Sequence, residues 1–169
     1  YSAYSPIPNA DAILPGIKPS LVREHRLYQA DWLLRFYGFK SGELFSTEHT
    51  NLSLDMDPKT FWALNNRHLF PVDINKASRE WLLRVPGIGA RNAERIIKLR
   101  RFCKVRLVDL QKMRVVVKRA KYFIITSDHN PDVFSLDSTG LMKALSPPAK
   151  QMSLFDQMEN KVSAVSGEM

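Results

Sequence analysis

The sequence is poor in the residues that build most catalytic centres. It has one cysteine, Cys103, which excludes an internal disulfide and a metal site made of several cysteines of this chain. We expect Cys103 to be a buried, small apolar side chain. The four histidines are scattered, with no second His or acid at metal-ligand spacing on a shared helix face, and there is no nucleophile motif and no Gly-rich phosphate loop. These absences predict no catalytic or metal-ligating residue and no cofactor within this chain.

Long apolar runs are also missing. No stretch approaches the roughly 18 apolar residues that a membrane-spanning helix needs, and no signal-peptide pattern is present. We therefore expect no membrane partner. Together with the single cysteine, this favours a protein of the reducing cytoplasm.

Acidic residues are scarce in one part of the chain. The whole chain carries a net charge of +8, but residues 79–121 contain 14 Lys or Arg against 3 Asp or Glu, a net +11. The remainder therefore sums to −3. A solvated helix face is the alternative explanation of a charged run, but this one lacks the acids at i,i+4 that such a face usually has. The bias favours contact with a polyanion, most simply nucleic acid.

The basic segment is centred on the sequence Val-Pro-Gly-Ile-Gly at residues 85–89, with a short amphipathic run on each side. This pattern predicts two helices joined by a tight turn. The glycines permit a positive φ and a close approach to the backbone, and the turn leads to the unpaired amides of a helix N-terminus. We predict that amides around Gly87, Gly89 and Arg91 bind one phosphate and that Ile88 inserts into the core. Arg91, Arg95 and Lys98 share a helix face and should contact neighbouring phosphates.

A second copy of the pattern follows at an offset of 27 residues. Gly87 and Gly89 are replaced in it by Arg114 and Val116, so we expect one hairpin competent for phosphate and one degenerate. Arg114, Lys118 and Arg119 could still reach a phosphate through their side chains. The matching positions are Leu83 with Leu110, Pro86 with Met113, Arg91 with Lys118, Ala93 with Ala120, and Ile97 with Ile124.

These features resemble the helix-hairpin-helix motif of DNA-binding and DNA-repair proteins, whose hairpin amides hold backbone phosphates without reading the base sequence. The alternative is a helical turn that serves only as a scaffold or as a protein contact.

The flanking pattern predicts a helix from Ser20 to Tyr37 with Gly38 as its stop, and another from Asp57 to about Arg67. A further short helix is predicted from Ser138. The predicted units are 1–19 (the end of a barrel or an extended connector), 20–69 (a helical linker), 70–126 (the helix-hairpin-helix domain) and 127–169 (a flexible tail).

The tail contains one isolated apolar pair in a polar context. It follows a Pro-rich linker and resembles the motif that binds the bacterial sliding clamp, with Met in place of the usual Leu at its second position. A chance match or a helix that folds back on the domain are the alternatives. The clamp-binding residues would be Gln151, Met152, Ser153, Leu154 and Phe155.

The chain is also similar, over about residues 1–125, to the C-terminal half of the DNA modification/repair radical SAM proteins found alongside a uracil-DNA-glycosylase-like protein. The similarity lies in residues 1–4, in the aromatic stretch 23–39, in 70–75 and in 118–124. It implies a barrel before this region that binds a 4Fe-4S cluster and S-adenosylmethionine, although its Cys-x-x-x-Cys-x-x-Cys set is not in this sequence. The expected fold is mainly α, a paired helix-hairpin-helix domain preceded by a helical segment that follows the barrel. The rival hypothesis is a non-enzymatic adaptor that binds DNA or a repair protein.

Overall fold

Helix α1 (Leu21–Phe36) begins and ends where the sequence predicts. The Ser20 hydroxyl accepts a hydrogen bond from the Arg23 amide at 3.4 Å, which caps the first turn. Gly38 has φ +70° and lets the Phe39 amide donate to the Leu33 carbonyl at 3.3 Å, which closes the last turn. Ala30 and Leu33 face the core, so α1 packs along one side only.

The computed structural model describes residues 7, 20–45, 50–131 and 138–146. Their fold is mainly helical, which confirms the predicted class. After α1 the described elements are α2 (Ser41–Leu44), α3 (Pro58–Asn65), a 3-10 turn (Arg67–Leu69), β1 (Val72–Asp73), α4 (Arg79–Arg84), α5 (Ala90–Leu99), α6 (Leu107–Lys112), α7 (Val117–Ala120), β2 (Ile124–Ile125) and α8 (Ser138–Leu145).

Helix α3 joins the first half of the chain to the hairpins. Asp57 caps it by accepting from the Thr60 amide at 3.1 Å, as the Asp-Pro pair predicts. On its buried side, Trp62 lies beneath the Arg84 guanidinium, whose centre is 5.0 Å from the ring centroid. Arg84 also pairs with Glu43 of α2 at 2.9 Å. Burial alone would raise the pKa of Glu43, but its hydrogen bonds with the Lys40 amide and Arg84 lower it. This ion pair therefore fixes the end of α4 against α2 and α3.

The two helical hairpins, α4–α5 and α6–α7, pack as a pair. The short strands before and after them run parallel and close the unit, with Val72 opposite Ile124 and Asp73 opposite Ile125. The repeat predicted from the sequence is confirmed as far as Ala120, because Leu83 and Leu110, and Ala93 and Ala120, are buried in equivalent places. The two copies of the repeat cease to be equivalent at Ile97 and Ile124. Ile97 lies in a helix, whereas Ile124 lies in β2, since the second copy leaves its helix early to pair with β1.

Helix α8 begins at Ser138, as predicted, and packs against α3. Leu141 and Leu145 are both buried in the core that the other helices share. The packed part of the chain therefore reaches Leu145, inside the range 127–169 that the sequence assigns to a tail. Residues 151–155 and residues 1–4 lie outside the described residues. None of the described helices is long and apolar enough to cross a membrane.

Candidate nucleic-acid interface

The first hairpin turn is anchored from inside by one side chain. Ile88 is only 1% exposed, and its amide donates to the Val85 carbonyl at 3.2 Å. This confirms the prediction that Ile88 inserts into the core. Gly87 before it has φ +86°, a conformation that favours glycine. The turn is thus held rigidly from below, while its outer side remains available to a ligand.

The outer side of the turn presents unpaired amides. Gly89 is the N-cap of α5 and has no side chain to cap it, and the first helical hydrogen bond runs from the Ala93 amide to the Gly89 carbonyl at 2.9 Å. Within the described part of the chain, no protein group accepts from the amides of Gly89, Ala90 or Arg91. Three donors at the positive end of a helix of 10 residues can bind an anion.

Gly87 lies against the second hairpin. The position that a Cβ would occupy lies 2.7 Å from the carbonyl oxygen of Val116, in the second hairpin turn. The Val116 amide also donates to the Gly87 carbonyl at 3.3 Å. The close approach that Gly87 permits is therefore that of the second hairpin. Gly89 has more room, since a Cβ there would meet only the Tyr37 hydroxyl, at 3.4 Å.

The predicted basic face of α5 points to solvent. Arg91, Arg95 and Lys98 are all exposed, while Ala93 and Ile96 on the opposite side are buried. The three cations extend from the turn along one face. The row begins at the helix end that carries the unpaired amides and runs to the last turn of α5.

The second hairpin keeps the shape of the first without its glycines. Arg114 has φ +60°, the same left-handed conformation as Gly87 at the equivalent position. The side chains of Arg114 and Lys118 are exposed, as a phosphate contact requires. Arg119 instead pairs with Asp57 at 2.8 Å, so its charge is partly neutralised within the protein.

Lys59 is a residue of this site that the sequence did not reveal. Its residue surface is 9% exposed, and its Nζ donates to the carbonyl of Ile88 at 2.6 Å, directly beneath the hairpin turn. The Tyr37 ring lies 4.8 Å from the ammonium. Burial lowers the pKa of Lys59 to about 7, against a smaller opposing effect of Asp57. The turn therefore rests on a partly protonated amine.

Two further predictions concern cysteine and metals. Cys103 is exposed, not buried as expected, because it lies in the turn between α5 and α6, where neighbouring Phe102 also projects into solvent. Among the described residues, no three His, Cys, Asp or Glu side chains are grouped so that they could hold a metal ion.

Comparison with known proteins gives one match. Residues 70–115 match the family model of the helix-hairpin-helix motif, which spans β1, the whole first hairpin and helix α6. No curated protein and no solved structure matches the chain. The match supports a DNA-binding helix-hairpin-helix domain, in agreement with the geometry of the turn.

Proposed function

We propose that this chain binds DNA without sequence preference, through backbone phosphates held at the first hairpin turn. The observation that carries the proposal is the set of unpaired amides at Gly89, Ala90 and Arg91, beside an exposed row of cations on α5. Amides and cations of this kind are donors, so they suit phosphate oxygens, and contacts to phosphates carry no sequence information.

The second hairpin adds charge to this surface. Because the turns of the two hairpins touch at Gly87 and Val116, Arg114 and Lys118 belong to the same region of the surface as the unpaired amides. Arg114 and Lys118 would each attract a backbone phosphate through the positive charge of the side chain. Arg119 contributes less, since Asp57 already holds it.

Affinity for DNA should depend strongly on salt. Each phosphate neutralised on duplex DNA steepens the log–log dependence of affinity on salt by about 0.9. Fluorescence anisotropy with two unrelated duplexes of equal length tests the proposal. We expect equal affinities for the two sequences and a slope that reflects several phosphates. A strong preference for one duplex, or no binding at low salt, would contradict it.

Gly89→Ala is the sharpest variant for this test. Its backbone, with φ −94° and ψ 169°, accepts alanine, and the added methyl only touches the Tyr37 hydroxyl. We propose that the bound phosphate lies over the Cα of Gly89, where the added methyl would displace it from the amides. Affinity should then fall by about tenfold or more, since a hydrogen bond to a charged group contributes about 1.5–3 kcal/mol. Gly42→Ala is the matched control, because a Cβ at Gly42 has nothing within 4 Å. Equal affinities for the two variants would argue against the turn as the phosphate site.

We further propose that this DNA-binding region serves a radical SAM enzyme of DNA modification or repair. The resemblance of residues 1–125 to that family supports this. In that setting, a barrel holding a 4Fe-4S cluster and S-adenosylmethionine would act on DNA that the hairpins hold, with a uracil-DNA-glycosylase-like protein as a partner. Reading the frame upstream of Tyr1 tests the idea. A three-cysteine cluster there supports the enzyme, and a start codon directly before Tyr1 supports the adaptor.

A further inference from the structure

A recess of about 240 Å³ opens between α1, the beginning of α3 and α7. Its wall combines aromatic and polar side chains, among them Trp32 and Tyr37 from the end of α1 and Arg119 from α7. Lys59 forms part of the wall and is almost fully buried. A recess with aromatic faces and convergent donors is suited to a flat, polar heterocycle.

The recess adjoins the hairpin turn. Its Lys59 ammonium is bonded to the Ile88 carbonyl, and its Tyr37 hydroxyl lies beside Gly89, in the same turn. A DNA strand whose phosphate sat on the amides of Gly89 and Arg91 would therefore lie close to the recess. Arg119, which also lines the recess, belongs to helix α7 of the second hairpin.

Trp32 at this recess is unusually exposed for its size, at 57% of its surface. Its ring is held against Phe36, with 4.3 Å between the ring centroids. The indole is thus fixed in place by a neighbour on its own helix, with much of its surface open to solvent. Aromatic faces of this kind stack on nucleobases, whatever the base.

We propose that the recess binds one unpaired nucleobase of the DNA that the hairpin holds, with the base stacked on Trp32. Gln29 and Arg119 supply donors for the edge of the base, and Asp57 supplies an acceptor. The polar side chains of the recess and the adjoining turn favour a nucleotide over an apolar protein segment. The inference rests on the proposed function, because the hairpin must first bring the strand to the recess. It predicts that the protein prefers DNA with an unpaired base to a perfect duplex.

The test compares two labelled duplexes that differ by one bulged nucleotide, using the full chain and fluorescence anisotropy. The wild type should bind the bulged duplex more tightly, by between about 5-fold and 150-fold, which is the range that stacking of one base supports. Trp32→Ala should lose this preference and keep its affinity for the perfect duplex. Trp81→Ala is the matched control, since Trp81 is also partly exposed but lies outside the recess. Thermal unfolding followed by circular dichroism confirms that each variant folds.

A second readout locates the base. With 2-aminopurine as the bulged nucleotide, the wild type should quench its fluorescence and Trp32→Ala should not. Equal affinity of the wild type for both duplexes, or an unchanged preference in Trp32→Ala, overturns the inference without affecting the proposed phosphate site. The occupant of the recess would then be a protein segment and not a nucleobase. A wild type that binds neither duplex contradicts the proposed function itself.

Discussion

Gly87 and Val116 hold the two hairpins together. A Cβ on Gly87 would lie 2.7 Å from the Val116 carbonyl oxygen, and the Val116 amide donates to the Gly87 carbonyl. The glycine of the competent hairpin thus serves the pairing of the repeat as well as the shape of its own turn. A substitution at Gly87 therefore tests folding, whereas one at Gly89 tests binding.

Gly87→Ala should destabilise the protein. A non-glycine residue at a strained positive φ costs about 1–3 kcal/mol, and the methyl must also displace the backbone of Val116. Chemical denaturation followed by circular dichroism measures the effect. Gly42→Ala, with open space around its Cβ, should be neutral or stabilising. If Gly87→Ala were as stable as the wild type, the close packing of the two turns would be wrong.

Arg114→Gly should separate stability from binding. Glycine relieves the left-handed backbone at this position, which costs an ordinary residue roughly 1–2 kcal/mol, so the variant should be more stable. It also removes a cation, so the salt slope of DNA binding should fall by about 0.9. Arg114→Lys keeps both the charge and the strained backbone and should keep the slope. A more stable Arg114→Gly variant with unchanged DNA affinity would show that Arg114 contacts no phosphate.

Lys59 should make stability depend on pH. Its pKa of about 7 in the folded protein is below the ordinary value of 10.5, so between these values the folded state binds fewer protons than the unfolded state. Stability contributed by this group therefore rises with pH through that window, by roughly 1 kcal/mol per pH unit. Denaturation at pH 7, 8 and 9 measures the slope, which Lys59→Met should flatten. The charged or titratable neighbours that face the amine are Tyr37, Asp57 and Arg119. Identical slopes for the two proteins would mean that Lys59 titrates normally.

The sequence at 151–155 predicts a docking peptide. A peptide covering residues 149–157 should bind a bacterial sliding clamp in the micromolar range, because an isolated Leu-Phe pair can anchor in a pocket. The control peptide carries Leu154→Ala and Phe155→Ala and should not bind. No binding by the unmodified peptide at high micromolar concentration would dismiss the motif as a chance match.

Local sequence patterns were sufficient to predict much of this fold. Ser20 and Asp57 were identifiable as helix caps because each precedes an apolar-periodic run, and the spacing of 27 residues revealed the second hairpin. The turn itself was identifiable because Pro and Gly between two amphipathic runs mark a tight turn.

Features that depend on tertiary contacts could not be predicted from the sequence. Lys59 follows an Asp-Pro cap like any solvated lysine, and only the packing of α3 beneath the turn buries it. Helix α2 has four residues and little propensity signal, and it is held by the pairing of Glu43 with Arg84, 41 positions away. The exposure of Trp32 was equally hidden, since an aromatic on a helix is usually buried.

A titration of the isotope-labelled chain with duplex DNA, followed through its backbone amide resonances, tests the central claim most directly. If the first hairpin turn holds a phosphate, the amides of Gly89, Ala90 and Arg91 should shift most. Two duplexes of unrelated sequence should produce the same shifts, and these should fade as salt is raised. Shifts concentrated elsewhere, for example around the exposed Phe102, with the turn unchanged, would contradict the account.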